Sequence, residues 1–282
     1  MSETLSYAIE GGFRVSYEER VKTSTSSKGN QIKWRRADGI WAKADNLGYE
    51  GLAEQTASKL LACSNVDGYA KYLTCQIWED GVVQSGCVSA DFLEDGEELI
   101  TLARLFEADV LRYDKDMENM SARRRLEYLI ENTERITGMT GFGRWLGMLL
   151  EFDALVLNED RHLHNIAVVR KPDGVYRPMP LFDHGAAFLS DTTRDYPVGI
   201  DTSLLRMISR VKSKPIATDF DKQLAAVSDV LDLSLKLNST PEQMWVSSEH
   251  YPETVVTRVR NIVRHQAMRY PHLFFVAPHL CP

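Results

Sequence analysis

Cysteine is scarce in this chain: Cys63, Cys75, Cys87 and Cys281 are the four in 282 residues, and no two form a Cys-x-x-Cys pair. That excludes a disulfide framework and a paired-cysteine zinc site, and points to free thiols in a reducing compartment. No apolar run approaches the roughly 20 residues of a membrane span, and Met1-Ser-Glu-Thr-Leu-Ser6 has neither a basic region nor an apolar stretch. A cytoplasmic protein without membrane attachment is expected. Positive charge is not in excess either, since 33 Lys and Arg against 40 Asp and Glu give −7. This argues against broad binding of a phosphate backbone, and so against direct DNA binding. The triplet Arg123-Arg124-Arg125 reads as a solvated helix face. A Walker loop, an internal repeat and a low-complexity linker are all missing. What remains is an ordinary globular composition, 44% hydrophobic and 26% charged, long enough for one large domain or two lobes sharing a cleft.

The most informative segment is Asn158-Glu-Asp160-Arg-His162-Leu-His-Asn165, followed by Phe182-Asp183-His184-Gly185. Between them lie an apolar run, Lys171-Pro-Asp-Gly174, and a second apolar run ending at Phe182, which together read as a β-hairpin. A turn centred near Gly174 pairs positions that sum to 348, so Asn165 is expected opposite Asp183. A carboxylate, an amide and a second carboxylate delivered in this way suit phosphoryl transfer. Asp160 is the expected base for an acceptor hydroxyl, with Asn165 and Asp183 as ligands for Mg2+ bridging the phosphates of ATP.

Upstream, hydrophobic patterning predicts strands over Gln31–Arg35, Gly39–Ala44, Tyr69–Cys75 and Val82–Val88, with a helix over Tyr49–Leu61. Downstream it predicts helices over Glu97–Leu111, Ala122–Ile136, Phe142–Leu157, Asp221–Leu237 and Pro252–Arg269, and another starting at Pro241. Phe142–Leu157 has little polar face and is expected to be the buried central helix. The stretch from Ala186 to Pro197 is read as a mobile segment over the substrate site. The expected fold class is therefore α+β and two-lobed, like a protein kinase. Residues 1–90 form a small β-rich lobe with the phosphate loop and ATP-binding lysine; residues 91–282 form a mainly helical lobe with the catalytic loop and magnesium site.

Such an enzyme must also grip the triphosphate. The loop Ser27-Lys28-Gly29-Asn30 supplies backbone N–H groups around a glycine, and Lys43 on the returning strand is the candidate for the phosphate contact. Its helix partner is Glu50 or, one turn on, Glu54. The link near Ser89-Ala90-Asp91 is the natural place for adenine.

These residues resemble the HipA-like kinases, bacterial relatives of serine/threonine toxin kinases and more distant relatives of the phosphoinositide kinases. Gly29-Asn-Gln-Ile-Lys33 is similar to that family's Gly-x-Gln-x-Lys loop. Asp160-Arg-His162-Leu-His-Asn165 is similar to its Asp-x-His-x-x-Asn catalytic loop, which adds His162 to the catalytic set. Asp183 matches its magnesium aspartate, while Arg161 stands where a small residue is common. The resemblance implies a two-lobed kinase using ATP and Mg2+ to phosphorylate a serine or threonine of a protein substrate, with an antitoxin-like partner. It also implies self-inactivation by autophosphorylation of Ser26, since a phosphate there brings roughly −1.5 to −2 charges into a phosphate-binding site. The alternatives are a lipid or small-molecule kinase, an inactive kinase-fold binding module, and a transition-metal site built on His162, His164 and His184.

Overall fold

The structure is a computed structural model that describes residues 12–21, 31–199, 203–240 and 248–275. Among these, the strands are β1 (Phe13–Val15), β2 (Lys33–Arg35), β3 (Ile40–Ala44), β4 (Tyr72–Glu79), β5 (Val82–Ala90), β6 (Glu98–Thr101), β7 (Ala167–Arg170) and β8 (Tyr176–Pro178). The helices are α1 (Glu50–Ala62), α2 (Leu102–Ala108), α3 (Tyr113–Glu118), α4 (Ala122–Thr137), α5 (Phe142–Val156), α6 (Leu204–Ile208), α7 (Phe220–Val230) and α8 (Glu253–Arg269). The class is α+β, as expected.

Two compact units interleave along the chain. One takes in the described residues of Met1–Phe92, Phe182–Arg210 and Lys236–Pro282; the other consists of Leu93–Leu181 and Val211–Leu235. The described residues of Phe182–Arg210 and Lys236–Pro282 group with the sheet.

In the first unit, five strands form one sheet in the order β1-β4-β5-β3-β2, antiparallel except for β1 beside β4. The β4–β5 hairpin turns through Asp80 and Gly81, both at positive φ (+48° and +84°), between paired Glu79 and Val82. That is the conformation a two-residue hairpin loop needs to follow the twist of its strands. Phe13, Trp34, Ala42, Ile77 and Val88 fill one core, and α1 packs on β4 and β5. The helix approaches closely because Gly51 faces Gly86: a Cβ at Gly51 would lie 2.6 Å from the Gly86 carbonyl carbon. β1 had no clear pattern in the sequence.

The second unit is built around α5, in which Phe142, Leu146, Leu149, Leu150, Phe152, Leu155 and Val156 are fully buried. α4 and α7 pack against it. Its two buried acids are both engaged, Glu151 by the backbone N–H groups of Ser234 (3.0 Å) and Leu235 (3.2 Å), and Asp153 as described below.

Three expectations change. The predicted helix over Glu97–Leu111 begins as β6, because Glu98-Leu-Ile-Thr101 pairs with β7, and only Leu102–Ala108 is helical. The helix predicted to reach Leu237 stops at Val230; Leu237 instead bridges Ser64 and Phe274. The β7–β8 register is also tighter than predicted. Val168 pairs with Pro178 and Arg170 with Tyr176, so paired positions sum to 346, with the Lys171 N–H closing on the Val175 carbonyl at 2.8 Å. The turn centres on Asp173, and neither Asn165 nor Asp183 lies in the ladder. The helix expected at Pro241 starts outside the described residues.

Candidate active site

Sheet geometry places Lys43. It sits in β3 paired with Lys33 on one side and Cys87 on the other, and is 7% exposed. Its Nζ donates to Glu54 Oε1 at 2.6 Å, to the Tyr72 hydroxyl at 3.2 Å and to Asp183 Oδ1 at 3.2 Å. Burial alone would push the lysine's pKa down, but the charges of Glu54, Tyr72 and Asp183 overcome it and hold the amine well above its ordinary value. Tyr72 moves up as well, chiefly by burial and then by Glu54.

The choice between Glu50 and Glu54 resolves to Glu54. Glu50 is turned to other work, accepting from the backbone N–H groups of Asn46 (3.2 Å), Leu47 (2.6 Å) and Gly48 (3.0 Å) just before α1. The second oxygen of Glu54 accepts from the His184 N–H at 2.8 Å. One glutamate thus holds both the lysine and the backbone next to Asp183. Asp183 itself adopts a left-handed backbone, φ +62°, which Asp tolerates better than most residues.

The stretch after Gly185 was expected to be mobile, yet Ala187, Phe188, Leu189, Ser190 and Asp191 are buried. It is fastened to the entry of α1: the Tyr49 hydroxyl donates to the Phe188 carbonyl at 2.6 Å, and the Thr192 and Thr193 N–H groups donate to the Leu47 carbonyl at 3.0 Å. Apolar Ala-Ala-Phe-Leu inside a polar context was the available signal. At positions 188 and 189 the backbone again has positive φ, +55° and +61°, a conformation that persists only when its surroundings hold it.

In the second unit the loop after α5 is anchored by Asp153. The Arg161 guanidinium, with no exposed surface, forks onto that carboxylate through Nε (2.8 Å) and Nη2 (3.1 Å), and its Nη1 donates to the Asn165 carbonyl at 2.8 Å. The Asn158 amide donates to the same carboxylate at 2.9 Å and accepts from the Asp160 N–H at 3.3 Å. Burial raises the Asp153 pKa, and Arg161 opposes it. Leu157 turns the chain out of the helix at φ +58°. Asn165 donates through Nδ2 to the Asp160 carbonyl at 3.0 Å, and His162 Nε2 lies 3.8 Å from Asp160 Oδ2. Lys214 Nζ reaches Asp160 Oδ1 at 3.3 Å.

Geometry therefore brings together Lys43, Asp183 and Glu54 in one unit, and Asp160, His162 and Asn165 in the other. Ser26, Ser27, Lys28, Gly29 and Asn30 lie outside the described residues. Ser89, Ala90 and Asp91 run off the end of β5, Ser89 paired with Trp41 and Tyr72, Ala90 with Ile40, and the Asp91 N–H on the Gly39 carbonyl at 2.8 Å. Tyr72, Asp153 and Lys214 were not foreseen, since no motif marks them. Asn165 and Asp183 offer hard oxygen donors of the kind magnesium takes, and the Asn165 amide spends its nitrogen on the protein, keeping its oxygen for such a role. Among the described residues no group of three or more His, Cys, Asp or Glu side chains is arranged to hold a metal, so the histidine-based transition-metal site has no support.

No family model matches the chain, and no curated protein matches it by sequence. Solved structures do. The Helicobacter pylori proinflammatory kinase CtkA is similar with a TM-score of 0.57 at 15% identity, over 89% of this chain and 92% of that one. HipA of Shewanella oneidensis MR-1, solved with HipB and operator DNA, is similar with a TM-score of 0.43 at 13% identity, over 96% of this chain and 71% of that one. The likeness to CtkA shows that the chain shares the fold of that kinase. No described helix is long and apolar enough to cross a membrane.

Proposed function

We propose that this chain is an ATP- and magnesium-dependent kinase that transfers the γ-phosphoryl group to a serine or threonine hydroxyl of a protein. The observation that carries the reading is the Lys43 cluster. A buried lysine held by Glu54 and Asp183 is the lysine–glutamate pair that positions ATP phosphates in kinases. Asp160 takes the hydroxyl proton, His162 lines its outer oxygen, and Asn165 and Asp183 hold magnesium. Bound magnesium neutralises phosphate charge. The partners proposed are a protein acceptor and, from the motif resemblance alone, an antitoxin-like protein; self-inactivation through Ser26 rests on the same resemblance.

The test is transfer from radiolabelled Mg-ATP to a randomised serine/threonine peptide pool. Asp160→Asn should lower the rate by about 10²–10⁴-fold, the usual contribution of a general base, and Asp183→Asn should reduce Mg-ATP-dependent transfer to background. Transfer that survives both substitutions overturns the assignment, and transfer to lipid vesicles in place of peptides would move the chain to the lipid-kinase alternative.

A further inference from the structure

The loop Val211–Asp219 delivers a cation that the residues discussed so far do not explain. Lys214 Nζ lies 3.3 Å from Asp160 Oδ1, and its side chain is 40% exposed. A pair this open contributes little to stability. Yet the loop that presents it is closely built. The buried Ser213 donates its hydroxyl to the Ala217 carbonyl at 2.9 Å and its N–H to the Thr218 carbonyl at 3.3 Å. Arg125, from the triplet that reads as a solvated face, donates to the Ile216 carbonyl at 3.4 Å while gripping the carbonyls of Met117 (2.9 Å) and Glu118 (3.1 Å). Its neighbours behave differently, with Arg123 and Arg124 paired to Glu127 and Arg124 also to Glu131 on the surface of α4.

We infer that Lys214 is a catalytic residue that contacts the transferring phosphoryl group, an inference that rests on the kinase reading of Asp160. The acceptor oxygen must come within about 2.6–3.2 Å of Asp160 to give up its proton, and the γ-phosphorus must stand about 3–3.5 Å from that oxygen. The phosphoryl oxygens therefore pass beside the carboxylate, within reach of an ammonium already seated there. Lys214 gives one N–H to Asp160 and, among the described residues, has no other hydrogen-bond partner, so two donors remain for the phosphoryl oxygens. In the step, the acceptor oxygen bonds to the γ-phosphorus as the bond from that phosphorus to the β,γ-bridging oxygen breaks. ADP leaves with the electron pair, the hydroxyl proton passes to Asp160, and Lys214 keeps its own proton throughout. Its role is to offset charge that builds on the phosphoryl oxygens while fixing the carboxylate through Oδ1.

Single-turnover transfer from Mg-ATP to the randomised peptide pool tests this on the full chain. Lys214→Met should lower kcat by about 10²–10³-fold, as loss of one preorganised transition-state donor does, with KM for Mg-ATP little changed and the thermal midpoint unaltered. Lys214→Arg, which keeps the charge, should recover most of the rate. An undiminished Lys214→Met, a loss that appears in KM alone, or an arginine variant no faster than the methionine variant overturns the inference. A parent chain that transfers nothing sinks the kinase reading and this inference together, whereas an active parent with an unaffected Lys214→Met sinks only this one.

Discussion

Arg161 shows how much a single side chain decides in this molecule. It replaces a small residue common in the resembling motif, and it is fully buried, forked onto Asp153 and bonded to the Asn165 carbonyl. One guanidinium therefore spans the end of α5, the loop carrying Asp160 and the turn carrying Asn165. Removing one member of a buried pair leaves the other charge stranded, which costs about 3–5 kcal/mol. Urea unfolding of Arg161→Met should show a loss of that size, and Arg161→Lys should recover little because an ammonium has no fork for a carboxylate. The double variant Asp153→Leu/Arg161→Met should be more stable than Arg161→Met alone, since no charge is stranded. A single-variant loss below about 1 kcal/mol, the range of surface pairs, would remove Arg161 from this role.

At the scale of elements, Asp45 joins the end of β3 to the start of α1 and to the segment before α8. Its carboxylate accepts from the Gly51 N–H at 2.7 Å and from the Tyr251 hydroxyl at 2.7 Å. Burial pushes its pKa from 3.8 up to about 7; the two hydrogen bonds oppose that rise and nearby Glu50 adds to it. Between those values the folded state holds a proton that the unfolded chain has released, so stability falls as pH rises from about 4 to about 7. A shift of this size corresponds to about 4 kcal/mol. Asp45→Asn carries no charge at either end, and its stability should be nearly flat between pH 5 and pH 8 while that of the parent declines. Parallel curves for the two proteins would refute the assignment. Elements of this kind were unequally legible. α1, α4 and α5 and strands β2 to β5 followed from periodicity and from turns such as Asp80-Gly81. β1 did not, because three residues paired in parallel with a strand some sixty positions away leave no local pattern, and β6 was hidden in a sequence whose spacing also suits a helix.

For the molecule as a whole, the candidate motif from Asp160 to Asn165 could be read because its residues are local in sequence, whereas the groups that contact the candidate residues come from afar. Glu54 was open against Glu50 until the helix was set on the sheet, Tyr72 reaches Lys43 only through strand pairing, and Lys214 reaches Asp160 only through the loop before α7. The regularity of a β-hairpin was also an incomplete guide, since Asn165 and Asp183 flank the β7–β8 ladder without joining it. A test at this scale uses the linkage between ligand and folding. Lys43 lies between Glu54 and Asp183, so an anion reaching it is opposed by Asp183 unless a magnesium ion bridges the two, and the complex with magnesium should stabilise the folded chain. At a Mg-ATP concentration about 100 times its Kd, stability should rise by about 2.7 kcal/mol. ATP with a chelator should give much less, and Asp183→Asn should respond alike with and without magnesium. Thermal unfolding of the full chain reads all three conditions, and a midpoint that Mg-ATP leaves in place, or raises equally in the presence of chelator, would contradict the magnesium-dependent nucleotide site.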